Sequence, residues 1–195
     1  MFNGIIFNTG KVTDIIRNKK SIQVGIKSKI YFSKKDLGSS ICCNGVCLTV
    51  EKIKKNKIFF YISLKNLKRS NFKTLKLNQI INLEKSLTFG QNISGHFIQG
   101  HVDTVAKIKK IKIIDKTWVI NFQILDKKMK YLLVEKASIS INGVSLTISR
   151  VYQNFFEINV VPHSLKLTNL KNLKINNLVN VELDILSKYI YKYSN

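Results

Sequence analysis

The sequence predicts a mainly β protein of two similar units in tandem, each an antiparallel barrel or sandwich, followed by a short C-terminal helix. Three observations carry this prediction: a pair of nearly identical hairpin signals, an internal repeat, and a change to helical periodicity at the end of the chain. Short β-favouring segments between turns, with little long helical periodicity, are typical of such folds.

The clearest hairpin signal is the segment 138–148, in which Asn142-Gly143 separates two alternating runs. Both residues of a two-residue hairpin turn need positive φ, which Asn and Gly adopt readily. The turn places Ser140 opposite Ser145, so that one face of the hairpin is apolar and the other carries hydroxyl groups. A slip by one residue would mix the two faces, and the register is therefore well specified.

A second copy of this hairpin lies 98 residues earlier, with Asn44-Gly45 at its turn and Cys42 opposite Cys47. Further blocks match in the same order, which establishes an internal duplication: residues 67–71 with 165–169, 82–84 with 180–182 and, at an offset of 96, 4–6 with 100–102. The duplication predicts an N-terminal unit over 1–95, a second unit over 96–184 and a terminal segment over 185–195.

Within each unit, alternation and a β-branched or aromatic composition predict the strands. We expect a first short strand at 1–2, a turn near 8–10 followed by a strand through Val12 and Ile15, and a short helix over 126–134. Pro162 ends the strand before it, because proline holds the preceding residue in an extended conformation. The remaining strands outside the hairpins are expected at 21–31, 57–64, 79–84, 107–114, 116–124 and 155–161.

The terminal segment changes its period, with apolar residues at helical spacing and Asp184 at the position of an N-cap. A helix of about ten residues is marginal alone, so it needs something to pack against, and a partner subunit is one candidate. The apolar stripe consists of Ile185, Leu186, Tyr189, Ile190 and Tyr193.

The composition indicates a cytoplasmic globular protein rather than one that binds nucleic acid. The formal net charge is +22, but the basic residues are spread along the chain, and its many Lys, Asn and Ile residues are what A/T-rich codons produce. The three cysteines, an odd number, do not suggest a disulfide framework, and no C-x-x-C pair or Cys/His cluster suggests a zinc site. No signal peptide or membrane-spanning stretch is recognisable.

Positions at which the two copies differ point to the chemistry. Two similar units predict two similar sites, and a reaction between identical molecules needs the sites to differ. The second copy has Ser145 where the first has Cys47, and it gains three groups capable of acid/base chemistry: His101 for Ile5, Lys136 for Gly38 and Asp184 for Ser86.

Each of these residues also has a purely structural interpretation. His101, at the start of a strand, could bond a backbone carbonyl, and Asp184 could serve only as a helix cap. The others could be ordinary surface or buried side chains: Lys136, Cys47, Ser145 and Thr147.

Five motifs, in order and spread over essentially the whole chain, resemble the riboflavin synthase family. They are Met1-Phe2-x-Gly4-Ile5, Asn44-Gly45-Val46-Cys47-Leu48-Thr49-Val50, Gly95-His96-Phe97-Ile98-x-Gly100-His101-Val102-Asp103, Asn142-Gly143-Val144-Ser145-Leu146-Thr147 and Val161-Pro162-His163-Ser164-Leu165. This combination is highly specific. Two features depart from the family pattern: Asn3 stands where the family has Thr, and the C-terminal helix is short.

The resemblance implies two six-stranded Greek-key barrels and a C-terminal helix that holds a trimer together. It implies that a four-carbon unit passes between two molecules of 6,7-dimethyl-8-ribityllumazine, giving riboflavin and 5-amino-6-(ribitylamino)uracil without cofactor or metal. Each active site is expected between the first barrel of one subunit and the second barrel of its neighbour. An association with lumazine synthase is a further expectation, whereas nucleic acid and membranes are not expected partners.

The resemblance also assigns residues to the two lumazines. One should contact Gly4, Ile5, Ile6, Ser145, Leu146, Thr147, Val160, Val161, Pro162, His163, Ser164 and Leu165. The other should contact Cys47, Leu48, Thr49, Tyr61, Ile62, Ser63, Leu64, Lys65, Asn66, Gly100, His101, Val102 and Lys136. His101, with Ser145, Thr147 and Asp184 close to it, is the expected proton-handling set. Cys47 or a bound water is expected to add to the second lumazine, and Lys136 is a further catalytic candidate.

Two alternative functions stay open. A non-catalytic lumazine- or flavin-binding antenna protein on the same barrels should have lost the asymmetric residues, and all of them are present here. A basic barrel that binds nucleic acid should interleave aromatic with basic residues on one face, which 54–57 beside Phe59, Phe60 and Tyr61 match only weakly.

Overall fold

The computed structural model describes residues 1–194, which form two closed antiparallel barrels of six strands each. The first barrel consists of β1 (Asn8–Asn18), β2 (Ser21–Ser28), β3 (Ser40–Cys43), β4 (Val46–Lys54), β5 (Lys57–Ser63) and β6 (Ile80–Lys85). The second consists of β7 (Thr104–Ile114), β8 (Thr117–Ile124), β9 (Ser138–Ile141), β10 (Val144–Tyr152), β11 (Phe155–Val160) and β12 (Leu178–Leu183). The predicted fold class is confirmed.

The two barrels have the same topology. The strands of the first follow one another as β1-β2-β5-β4-β3-β6, and those of the second as β7-β8-β11-β10-β9-β12. Each strand therefore occupies the same place as its repeat partner, as the duplication requires.

Short helices connect the strands and end the chain. They are α1 (Leu64–Arg69), α2 (Pro162–Leu167) and α3 (Ile185–Ser194), with 3-10 turns at Lys34–Asp36, Asn71–Thr74, Lys127–Leu132 and Asn169–Asn172. The helix expected over 126–134 is thus a 3-10 helix. Val161 is extended, as predicted, and Pro162 opens α2, where its missing N–H costs nothing. None of the helices in the described part of the chain is long and apolar enough to cross a membrane.

Both hairpins have the predicted register, with Cys42 opposite Cys47 and Ser140 opposite Ser145. The turn residues take positive φ, 47° and 81° in the first hairpin and 47° and 80° in the second. The tips of the two turns meet: a Cβ on Gly45 would lie 2.9 Å from the backbone nitrogen of Gly143. The hairpins therefore sit at the centre of the barrel–barrel contact.

This contact changes the expected hydroxyl face. Ser140 and its repeat counterpart Cys42 are each 1% exposed, so this one position of the face is covered in both hairpins rather than wet. Cys42 is covered by Phe2 and Ile98, with which it forms a small apolar cluster between the barrels.

The expected N-terminal strand and turn are wrong. Residues 8–10 belong to the continuous strand β1, and Phe2 instead pairs with Ile98 from the segment between the barrels. Phe2 N donates to Ile98 O at 2.8 Å, and Ile98 N donates to Phe2 O at 3.1 Å. The N-terminal segment is held by this distant pairing, which local sequence patterns do not report.

A set of buried asparagines joins the barrels around an approximate two-fold axis. Asn82 Nδ2 donates to Asn142 O at 2.9 Å, and Asn180 Nδ2 donates to Asn44 O at 2.8 Å. Their neighbours Asn71 and Asn169 donate backbone N–H groups to Asn180 Oδ1 and Asn82 Oδ1. Reciprocal bonds between buried amides fix the relative orientation of the barrels, because breaking one leaves a buried polar group without a hydrogen-bond partner, which costs free energy.

Helix α3 begins as predicted, with Leu186 N donating to Asp184 Oδ1 at 2.9 Å. Lys188 anchors it to the second barrel through an ion pair with Asp103 at 2.6 Å. The predicted stripe stays outside the core, since Leu186, Tyr189, Ile190 and Tyr193 are 56–78% exposed. Asn195, the last residue of the predicted helix, lies outside the described residues.

Candidate functional site

Two glycine-containing segments cross from one repeat to the barrel of the other. The N-terminal segment reaches the second barrel, where Ser145 N donates to Gly4 O at 2.9 Å. The segment after Ile98 reaches the first barrel, where Cys47 N donates to Gly100 O at 2.9 Å. The two contacts are equivalent under the repeat, so each barrel has a site completed by a segment from outside it.

These crossings need glycine. Gly4 and Gly100 have φ of 75° and 77°, and a Cβ on either would lie within 2.7 Å of the strand it crosses. The residue two positions later then enters the barrel core: Ile6 packs in the second core and Val102 in the first. The structure thus brings residues 4–6 to Ser145 and residues 100–102 to Cys47, in the groups that the sequence predicted.

The first site is a cavity of about 420 Å³ between β4, α1 and the crossing segment. Six of its lining residues were predicted: Cys47, Lys65, Asn66, Gly100, His101 and Val102. Three were not: Val46, Arg69 and Ser70. Arg69 corresponds to Leu167 in the second repeat, so a comparison of the positions at which the repeats differ could have found it.

The remaining residues assigned to this site are around the cavity rather than on its surface. Leu48 and Ile62 are buried in the first core. Ser63 caps α1 by accepting from Asn66 N at 3.4 Å, while Thr49, Tyr61 and Leu64 are exposed. Leu48 and Ile62 can therefore offer a ligand their backbone, while their side chains stay in the core.

The lining of the first cavity is basic, with Lys65 and Arg69 beside the His101 imidazole and no acidic residue. Within residues 1–194 neither Lys65 nor Arg69 forms an ion pair. The repeat counterparts of these three residues are His163, Leu167 and Ile5, so the two sites differ in charge as well as in their central residue.

The second site is centred on Ser145. Its hydroxyl lies 2.7 Å from Nδ1 of His96, which is 9% exposed. Burial lowers the pKa of the His96 imidazole, and the negative charge of Asp184 partly opposes this shift. A neutral imidazole bonded to a hydroxyl, with a carboxylate acting on it, is an arrangement suited to proton transfer.

His96 is the residue of this site that sequence reasoning missed. It lies at the start of the second unit, before the matched segment 100–102, so it has no counterpart in the first unit. A comparison of repeat positions could not find it, although it stands in the quoted motif Gly95-His96-Phe97. Asn3 supports this segment, because Gly95 N donates to Asn3 Oδ1 at 2.7 Å.

The expected proton-handling set is divided within one chain. His101 lines the first cavity, whereas Ser145 and Asp184 act on His96. Thr147 is exposed on β10, opposite Ser138. The expectation that His101 lies close to the other three is therefore not met by a single chain.

The family resemblance groups Lys136 with Cys47, but the structure places Lys136 in the other barrel. Its backbone N–H donates to Ile148 O at 2.9 Å, just as Gly38 N donates to Val50 O at 2.9 Å in the first barrel. Both residues have positive φ, 68° and 79°. Lys136 is thus an exposed residue beside β10, and it does not line the cavity that contains Cys47.

The segment after β11 contributes both buried and exposed residues to the second site. Val160 and Leu165 are buried in the second core, and Leu146 packs against that core. Exposed positions are Val161, Pro162 and His163, while Ile5 and Ser164 are half-buried. The second barrel therefore offers a ligand an apolar rim beside the Ser145–His96 pair.

Comparison with known proteins identifies the family. The model of the lumazine binding domain matches twice, over residues 3–86 and 99–184. Riboflavin synthase from Photobacterium leiognathi is 37% identical, covering 98% of this chain and 88% of the relative, and that from Bacillus subtilis is 31% identical, covering 99% and 89%. The crystal structure of LumP complexed with riboflavin is 28% identical with a TM-score of 0.82, covering 94% of this chain and 99% of that one.

Proposed function

The chain belongs to the riboflavin synthase family, and we propose that its two lumazine sites are those built around Cys47 with His101 and around Ser145 with His96. Its reaction is the dismutation of two 6,7-dimethyl-8-ribityllumazine molecules by transfer of a four-carbon unit, which gives riboflavin and 5-amino-6-(ribitylamino)uracil. It is accordingly a transferase.

The observation that carries the proposed sites is the pair of equivalent crossings, Gly4 on Ser145 and Gly100 on Cys47. The two crossings place equivalent segments against Ser145 and Cys47 through backbone bonds of the same length. The reaction needs two sites that bind the same lumazine, and it needs one lumazine to donate the four-carbon unit that the other accepts. Two sites with the same backbone arrangement but different side chains suit both needs.

Much of the rate is expected to come from orientation. Two lumazines held face to face become one unimolecular system, and well-oriented intramolecular reactions reach effective molarities on the order of 10⁵ M or more. The chain's task is then to fix the two rings and to move protons, and backbone groups at the strand edges can read the uracil-like edge of each ring.

Proton transfer is assigned to the Ser145–His96 pair. The 7-methyl group of the substrate is unusually acidic, so a modest base suffices. His96 is kept neutral by its burial, and a neutral imidazole at 2.7 Å from the Ser145 hydroxyl can draw a proton through it. Asp184 stabilises the imidazolium that results. In the first site, Cys47 is the group placed to add to a lumazine, with His101 beside it.

We assign the active form to a homotrimer, in which the first barrel of one subunit faces the second barrel of its neighbour. This arrangement would bring the two sites, and with them His101 and Ser145, onto one pair of stacked ligands. The exposed apolar stripe of α3 supports it, because four large apolar side chains at 56–78% exposure need a covering surface.

Two further assignments complete the proposal. The cytoplasm is the expected location, since all three cysteines are free and thiols persist in a reducing compartment. An association with lumazine synthase rests on the family resemblance alone, and co-sedimentation of the two purified proteins tests it.

Turnover of the purified protein with 6,7-dimethyl-8-ribityllumazine, with no cofactor added, is the first test. Steady formation of one riboflavin for every two lumazines consumed is expected. Tight ligand binding without turnover would instead identify an antenna-type protein. The residue assignment is tested in the same assay with Ser145→Ala, matched against Ser138→Ala on the paired strand of the same hairpin.

A further inference from the structure

Glu182 is a buried carboxylate and Glu84 is a half-buried one, and the proposed reaction gives neither a role. They occupy the same repeat position, on β6 and β12. Glu182 is only 3% exposed, and within residues 1–194 neither carboxylate forms an ion pair. Burial of an ionised carboxylate is costly unless its oxygens are bonded, so the bonds that each makes indicate its purpose.

Both carboxylates bind the backbone of a crossing segment. Glu84 accepts from Asn3 N at 2.8 Å and from Gly4 N at 3.0 Å. Glu182 accepts from Gln99 N at 2.7 Å and from Gly100 N at 2.9 Å.

The two carboxylates differ in one bond. Glu182 Oε2 also accepts from His101 N at 2.9 Å, whereas the bonds of Glu84 end at Gly4, one residue before Ile5. The positive φ of Gly100 turns successive N–H groups towards one point, which is how backbone amides form an anion-binding concavity. Glu182 therefore holds the backbone of the histidine that lines the first cavity.

The segment is also fixed on its far side. Asp103 Oδ2 accepts from Leu183 N at 2.8 Å and pairs with Lys188 of α3 at 2.6 Å. The residues on either side of His101 and Val102 are thus bound to β12 and to the start of the C-terminal helix. The backbone that carries the His101 imidazole is therefore held in place at the wall of the cavity.

We propose that Glu182 is a positioning residue of the reaction, which acts through His101 by fixing the Gly100–His101 backbone against Cys47. This inference rests on the proposed function of the first site. Displacement of a reacting group by about 1 Å can cost on the order of 10²-fold in rate. The matched carboxylate Glu84 has no bond to the counterpart of His101 and therefore does not act through that side chain.

A double-mutant cycle with His101→Ala tests this. Glu182→Gln replaces one accepting oxygen by an amide that cannot accept from an N–H group, and kcat should fall on the order of 10²-fold. In the His101→Ala background the same change should alter kcat within about twofold, because the side chain through which it acts is gone. Riboflavin affinity should change far less than kcat.

Glu84→Gln is the matched control, with the same chemical change at the repeat position. The fold-loss in kcat caused by Glu84→Gln should multiply with that of His101→Ala in the double variant. If the loss caused by Glu182→Gln also multiplies with that of His101→Ala, or if Glu182→Gln lowers only the melting temperature, the role of Glu182 is structural and the inference is wrong. If Glu182→Gln does not fold, Glu182→Asp is measured with the same outcomes. No turnover in the unmodified chain would overturn the proposed function, and an unchanged rate in His101→Ala would overturn the inference alone.

Discussion

Gly100 and Cys47 are joined by a backbone hydrogen bond of 2.9 Å that links the segment between the barrels to strand β4 of the first barrel. The bond from Ser145 to Gly4 repeats it in the second barrel, at the same length. Each site is thereby made from two parts of the chain that only the packed pair of barrels brings together. The proposed sites therefore require the barrel–barrel contact, which the buried asparagines hold together.

Gly100→Ala should abolish the first site. A Cβ there would lie 2.5 Å from Cys47 Cβ, in a backbone with φ of 77°. The strained φ costs about 1–2 kcal/mol, and the forced separation of the segment from β4 adds about 1–3 kcal/mol. Riboflavin binding to the first site and the melting temperature should both fall, as followed by fluorescence titration and thermal unfolding.

Gly38→Ala is the control for this change. Gly38 has φ of 79° but has nothing within 4 Å of its Cβ position, so only the backbone strain applies. It should lose about 1–2 kcal/mol of stability and keep ligand affinity. Equal losses of affinity in the two variants would contradict the close contact.

His96→Gln should lower turnover by about 10²- to 10⁴-fold, the usual contribution of a general base. Ser145→Ala in the same background should add little, because the two side chains act as one pair at 2.7 Å. Steady-state kinetics with the ribityllumazine measures both. Independent, multiplying losses would show that serine and histidine do not share a proton.

The pH dependence of stability should also report His96. Burial holds its folded-state pKa below the ordinary value of 6.5, so the unfolded chain takes up a proton first as the pH falls. Stability is then complete above 6.5 and is lost progressively below it, down to the folded-state pKa. Thermal unfolding between pH 8 and pH 5 checks this, and His96→Gln should flatten that part of the profile.

Local chemistry made much of the fold predictable. Asn-Gly turns and strict alternation predicted both hairpin registers, and the repeat predicted two equal units, whereas their six-stranded barrels were implied by the family resemblance. The first strand was wrong because Phe2 is held by Ile98, a pairing with no local signature. His96 was missed for a related reason: its partner Ser145 is distant in sequence, and the repeat holds no counterpart to compare it with.

The grouping of the site residues was predictable only in part. Residues tied by equivalent backbone bonds, such as Gly100 with Cys47, came together as expected. Lys136 did not join Cys47, because it occupies the repeat position of Gly38. Lys136 lies beside β10 in the second barrel with φ of 68°, as Gly38 lies beside β4 in the first barrel with φ of 79°. In the proposed trimer, the packing of subunits decides which side chains of two chains meet in one site. Local sequence patterns do not report that packing.

Thiol reactivity should separate Cys47 from the other two cysteines. Burial raises the pKa of the Cys42 and Cys43 thiols well above their usual range, so both should resist alkylation. Cys47 is half-buried and lines the first cavity. Iodoacetamide should label one site per folded chain, found by peptide mass mapping, and riboflavin should protect it. Labelling of Cys42 at the same rate would contradict this, and reductant should leave the melting temperature unchanged.

Ile190→Glu on α3 should dissociate the proposed trimer, because it puts a charge into the exposed apolar stripe, where Ile190 is 67% exposed. The barrels should stay folded, since no residue of α3 is buried within the chain. Lys192→Glu, a charge change on the same helix outside the stripe, should leave the assembly intact. Sedimentation velocity gives the mass of each variant, and riboflavin formation should be lost with the trimer because each active site of the proposed trimer is shared by two subunits. A monomer of Ile190→Glu with full activity would show that one chain holds a complete active site.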